Sequence, residues 1–123
     1  MSSEITSVLF DFQKLEVYRK SRDFHLTCKS ILRNAAVEKY VNDQLARASY
    51  SVVLNIAEGS AKQTKPDRRN FFIISRGSIF ECVAILDILQ KEEKLNEKEY
   101  LSALKLANEI SRILFAMVKN LSN

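Results

Sequence analysis

The chain has 123 residues, 46% of them hydrophobic and 28% charged, which fits one globular domain with one core. Two glycines and one proline are too few for the many turns of a strand-rich fold, so the elements are long and helical. Nineteen Lys and Arg against 15 Asp and Glu leave a net charge of +4, which permits an anionic partner without requiring one. Cys28 and Cys82 sit among apolar residues at helical spacing, the pattern of buried free thiols in a reducing cytoplasm rather than of a disulfide scaffold. No apolar run approaches the roughly 20 residues that span a bilayer, and no secretory start precedes the first helix.

Residues 1–11 are small and polar with a few apolar positions, and are expected to be a flexible segment. Residues 12–123 are expected to form one domain of four helices. The first runs over 12–33, capped by Asp11, with Val17, Ser21, Phe24, Cys28 and Ile31 on its apolar face. The second runs over 37–60, with Gly59 suited to a helix end. Between residues 44 and 61 it carries only Arg47 and Glu58 as charges, so it is apolar nearly all round. Such a helix is buried on more than one side. A bundle this short cannot easily bury both sides, so the second surface is expected to meet another copy of the chain.

Thr64-x-x-Asp67 with Pro66 announces the third helix, over 66–91. Phe71, Ile74, Ser78 and Cys82 make one face, Phe72, Ile79 and Leu86 a second, and Ile73, Phe80 and Ala84 a third. Gly77 inside it costs about 1 kcal/mol against Ala, which close packing would explain. The fourth helix runs over 96–121, capped by Asn96, with Ala107, Ser111 and Leu114 facing inward. Short connections place successive helices antiparallel. The fold class is all-α, an antiparallel up-down-up-down four-helix bundle.

Pairing the second and third helices around their turn sets Arg47 opposite Glu81, and Glu58 toward Arg69 or Arg76. These charges are expected to be buried and paired, because breaking such a pair costs about 3–5 kcal/mol. Their reading is register and assembly; an acid–base site is the competing one. Nothing else completes a catalytic set. His25 is the only histidine, and no Glu-x-x-His pair or phosphate loop is present. The chain is therefore read as no enzyme, with no cofactor and no metal.

The same topology gathers Lys14, Lys62, Lys65, Arg68, Arg69 and Lys119 at one end of the bundle, with Lys20 nearby and Asp11, Glu16 and Asp67 in partial offset. The other end carries nearly balanced charge. Phosphates are the natural counterpart of such a basic end, whereas solubility is the plainer explanation. Phe71 and Phe72 fall on core spacing, so no base-stacking platform is expected.

Gln44-Leu45-Ala46-Arg47-Ala48-Ser49-x-Ser51 running to Asn55-Ile56-Ala57-Glu58-Gly59, followed by Arg76-Gly77-Ser78-x-x-Glu81, resembles a known pattern. It is similar to the four-helix bundle proteins encoded in intervening sequences of bacterial 23S rRNA, and to the accessory variability determinant proteins of diversity-generating retroelements. The likeness extends from Phe12 to Leu121. It departs at Tyr18, where that family usually has Trp, and at Ser60-Ala61-Lys62, where a Gly-Arg or Gly-Lys turn is common. The resemblance implies a ring, typically a pentamer, and an accessory role with RNA or DNA and with a reverse transcriptase partner. The residues and the resemblance together suggest an oligomeric nucleic-acid-binding accessory protein that contacts structured RNA or an RNA–protein complex. The competing reading is a protein–protein scaffold without nucleic-acid affinity.

Overall fold

The computed structural model describes residues 2–122, so the first and last residues of the expected segments, 1 and 123, lie outside it. The described residues contain helices and no strand: α1 (Ser3–Ser7), a 3-10 turn (Asp11–Lys14), α2 (Glu16–Asn34), α3 (Lys39–Ala61), α4 (Lys65–Lys91) and α5 (Glu97–Asn120). The four long helices enclose one core. α3 packs on α2 and α4, and α5 packs on α4 and α2.

Cross-helix contacts give the directions. Gln44 meets Glu81, Ser51 meets Ser78, and Gly59 lies against Phe72, so numbers rise along α3 as they fall along α4. Asp87 meets Tyr100, Arg76 meets Ser111, and Arg69 meets Ser122, so α5 runs against α4 in the same way.

Sequence signals set most helix ends. Thr64 Oγ1 accepts from the Asp67 amide at 3.3 Å, and Pro66 sits in the first turn, where its missing N–H leaves no intrahelical bond unmade. Asn96 Oδ1 accepts from the Glu99 amide at 2.8 Å. The loop between α4 and α5 carries Glu93 at φ 61°, and the Lys94 amide donates back to the Leu89 carbonyl at 2.9 Å, closing the helix as a glycine usually does.

Several local expectations are corrected. The first long helix starts at Glu16, not at residue 12. Asp11 opens the separate 3-10 turn, which Gln13 ties off by accepting from the Phe10 amide at 2.9 Å, and Leu15 is extended. The segment before it forms α1, capped by Ser2, which buries no residue and packs on no other helix. Gly59 does not end a helix: it is buried inside α3, where a Cβ would stand 2.7 Å from the Phe72 ring. Gly77 is the reverse, with open space around it rather than close packing.

The core is built from Phe24, Leu45, Ile56, Phe72, Ile79, Leu86, Ile110 and Leu114, all fully buried. Each such side chain contributes about 1.5–3 kcal/mol by leaving water. Cys28 and Cys82 fill gaps among them; burial pushes the Cys28 thiol up to about 12 and raises Cys82 as well. The polar atoms of the α3–α4 seam are paired: Ser75 Oγ donates to the Val52 carbonyl at 2.8 Å, and Ser51 and Ser78 share a hydrogen bond at 3.0 Å.

The apolar content outruns this core. On α4, Ile73, Ile74, Phe80 and Ile88 are exposed, and on α3 so are Tyr40, Tyr50 and Leu54. Ile73, Phe80 and Ala84 are the third face read in the sequence. They form an outer stripe around the open Gly77. No described helix is long and apolar enough to cross a membrane.

Candidate nucleic-acid interface

The end of the molecule at the α3–α4 turn is built from four chain segments. The 3-10 turn and Leu15 share a groove with Ser60, Ala61 and Arg68. Arg69 Nε donates to Ser122 Oγ at 2.7 Å, which brings the last turn of α5 to the first turn of α4. Lys14, Lys62, Lys65, Arg68, Arg69 and Lys119 therefore share one end, as the chain order predicts.

Their roles differ. Lys14, Lys62, Lys65 and Lys119 are exposed and take part in no salt bridge among the described residues. Lys62 Nζ rests 5.1 Å from the centre of the Phe71 ring. The two arginines are half-buried and already engaged. Arg68 donates to the Ser60 and Lys62 carbonyls at 3.2 and 3.4 Å, covering unpaired carbonyls at the end of α3. Arg69 is tied to Ser122. Lys20 does not join the set: it pairs with Glu109 and Glu16, and the Glu109 bond raises its pKa. Arg19, passed over in the sequence, adds a cation here by donating to the Lys14 carbonyl.

At the opposite end, Glu38 and Glu92 face Lys94 around a second groove, and Lys39 pairs with Asp43 at 2.8 Å. Charge there is balanced, so only the end at the α3–α4 turn carries a net positive charge.

The expected buried ion pairs are corrected. Arg47, Glu58 and Glu81 are exposed in the chain, and Arg76 is half-buried. Glu81 accepts from Gln44 Nε2 rather than from Arg47. The half-buried Ser51 and Asn55 hold the α3 seam, and the helical turn carries Arg47 and Glu58 past it into water. Arg76 does not meet Glu58 either, because it leaves α4 on the other side. Its guanidinium lies 4.9 Å from the Phe80 ring centre and 5.2 Å from that of Phe115, and Nε donates to the Ser111 carbonyl at 3.2 Å.

His25 is half-buried and shares a 2.7 Å hydrogen bond with the buried Ser49. Burial, then Lys29, lowers its pKa. The described residues hold no group of three or more His, Cys, Asp or Glu arranged for a metal.

Sequence reading missed Phe10 and Phe12. Phe71 and Phe72 are indeed packing residues, half-buried and buried. Phe10, however, is 69% exposed at the basic end, and with Phe12 and Leu15 it lines an open groove of about 470 Å³. The signal was the apolar run Val8-Leu9-Phe10 inside a segment read as loose, followed by Phe12 at the start of the expected first helix.

A comparison with curated proteins finds no match. Among solved structures, the chain is similar to a protein of unknown function from the S23 ribosomal protein family of Bacteroides thetaiotaomicron. The two are 25% identical, with a TM-score of 0.78 over 84% of this chain and 98% of that one. The profile of the 23S rRNA-intervening sequence proteins matches residues 13–116, so the chain belongs to that family.

Proposed function

We propose that this protein is a ring-forming, nucleic-acid-binding accessory protein that contacts structured RNA, or an RNA–protein complex, through its basic end. The carrying observation is the collection of Lys14, Lys62, Lys65 and Lys119, exposed and unpaired among the described residues, at one end of a molecule whose other end is balanced. The family's association with 23S rRNA intervening sequences points the same way. In this reading the four long helices are an up-down-up-down bundle. The outer faces of α3 and α4 meet neighbouring copies, with five subunits as the expected ring. Arg47 and Glu58, exposed in the single chain, then find partners across subunit contacts. The protein acts in the cytoplasm without catalysis or cofactor, and a reverse transcriptase is a candidate protein partner.

In a ring the basic ends repeat around the axis, so phosphate contacts add. Four lysine–phosphate contacts lower affinity about 10²-fold between about 50 and about 200 mM salt. Fluorescence anisotropy with structured RNA and duplex DNA at those two salt concentrations tests this. The variant Lys62→Glu/Lys65→Glu/Lys119→Glu is expected to lose binding with its assembly unchanged. Arg68 is left intact because it covers the end of α3. Unchanged binding by that variant overturns the surface.

A protein–protein scaffold is the second reading, favoured by the exposed Ile73, Phe80 and Ile88 of α4. A partner retained at high salt, with no RNA or DNA affinity, would select it.

A further inference from the structure

The groove under Phe10 lies inside the cationic end, and apolar packing does not account for it. Phe10 is largely in solvent. Its ring meets Phe12 in a T-shaped contact at 6.1 Å, and Phe12 meets Tyr18 in the same way at 5.0 Å. This chain of edge contacts fixes the Phe12 ring against α2 and leaves much of Phe10 uncovered. Leu15, Ser60 and Ala61 complete an apolar and small-residue lining, and Arg68 and Asp11 supply its charges. At about 470 Å³ the groove is within the size range of small-ligand clefts.

We infer that this groove receives an unpaired base of a bound RNA strand, stacked on Phe10, while the flanking lysines hold the phosphates on either side. The inference rests on the proposed nucleic-acid reading and specifies its ligand. Two features select a nucleotide over an apolar peptide. An aromatic face in a groove lined by Arg68, with Lys14 and Lys62 next in the chain to the lining Leu15 and Ala61, suits a ligand that is both flat and anionic; single-stranded nucleic acids are held by this combination of stacking and cationic groove. Asp11 fixes the orientation. A carboxylate repels a phosphate but accepts N–H bonds from a base edge, so the base enters the groove and the backbone stays outside with the lysines. A duplex offers no free base face, so it would engage the lysines alone.

The test compares an RNA hairpin carrying an unpaired loop with a fully paired RNA of the same length, by anisotropy, for the wild type and Phe10→Ala. Phe10 is exposed, so its removal leaves the fold in place. The wild type should prefer the loop by about 5- to 150-fold, the effect of one stacked base. Phe10→Ala should lose that preference and keep both its duplex affinity and its salt slope. Asp11→Asn should change the ranking of loop bases without altering duplex binding.

Equal binding of loop and duplex by the wild type, or a loop preference that survives Phe10→Ala, overturns the stacking site. The lysine reading then still stands if the charge-reversed variant loses binding. A wild type that binds neither RNA overturns both. Uniformly tighter binding by Asp11→Asn would place a phosphate, not a base, in the groove.

Discussion

The two sides of α4 follow opposite rules, and its two nearby glycines mark the contrast. On the inner side, Phe72 packs so tightly on α3 that Gly59 has no room for a methyl group. Ser75 and Ile79 continue that contact with every polar atom satisfied. On the outer side, Gly77 faces open space between Ile73 and Phe80, both exposed. Composition does not separate the two sides, since both are apolar with one small residue. The difference is completeness: the inner side is finished within one chain, whereas the outer side leaves Ile73 and Phe80 largely in solvent. Helix amphipathicity alone would miss this, because it looks for a polar side that α4 lacks.

The inner side should be the more costly to damage. Phe72→Ala is expected to lose about 3–5 kcal/mol, as truncating a fully buried phenylalanine does. Gly59→Ala should cost about 1–3 kcal/mol, because its methyl group meets the Phe72 ring at 2.7 Å and Phe71 Cβ at 3.0 Å. Urea unfolding at fixed protein concentration measures both. If Gly59→Ala gains stability, as alanine does in an open helix, the tight seam is wrong.

These features were unequally legible in the sequence. The apolar face of α2, the caps at Thr64 and Asn96, and the surplus of apolar surface on α3 and α4 follow from periodicity and capping chemistry, which are local. The fate of each glycine depends on which way two helices are rotated against each other, and no spacing rule gives that rotation. The same limit explains the ion pairs. An error of one residue's turn, 100° about the helix, separates a buried Arg47 from an exposed one. At the basic end, chain order was enough to gather the lysines. It could not show that Arg68 is occupied by helix-end carbonyls, or that the 3-10 turn brings Phe10 beside it.

Substitutions on the outer side sharpen the comparison. Ile73→Glu with Phe80→Glu should cost the isolated chain no more than about 1 kcal/mol, since both side chains are exposed and Phe80 gives up only its contact with Arg76. If the outer side meets other copies as proposed, the same pair should abolish that assembly in sedimentation, because two charges would be buried without partners. An unchanged mass, or a large loss of monomer stability, would erase the distinction between the sides. Gly77→Ala adds a finer test. In open helix it should stabilise the chain by about 1 kcal/mol, through helix propensity alone. Loss of stability on that change, seen only at concentrations where the protein is assembled, would mean that a partner packs against Gly77 as Phe72 packs against Gly59.

His25 occupies the border between a finished side and an open one, and should give the smallest effect. Ser49 Oγ lies 2.7 Å from His25 Nδ1 and 3.2 Å from the Ala46 carbonyl. With the serine hydrogen on that carbonyl, Nδ1 carries a hydrogen and donates it to Ser49. Acid then protonates Nε2 and leaves this bond intact, so the penalty is only that of charging a half-buried ring near Lys29. Burial lowers the folded pKa below 6.5, so the unfolded chain takes up the proton first. The stabilising contribution is complete above about pH 6.5 and is lost as pH falls through the lower, folded value. Urea midpoints at pH 7.5 and 5.5 should therefore fall further for the wild type than for His25→Gln. Equal falls would assign the acid sensitivity to carboxylates and remove His25 from the account.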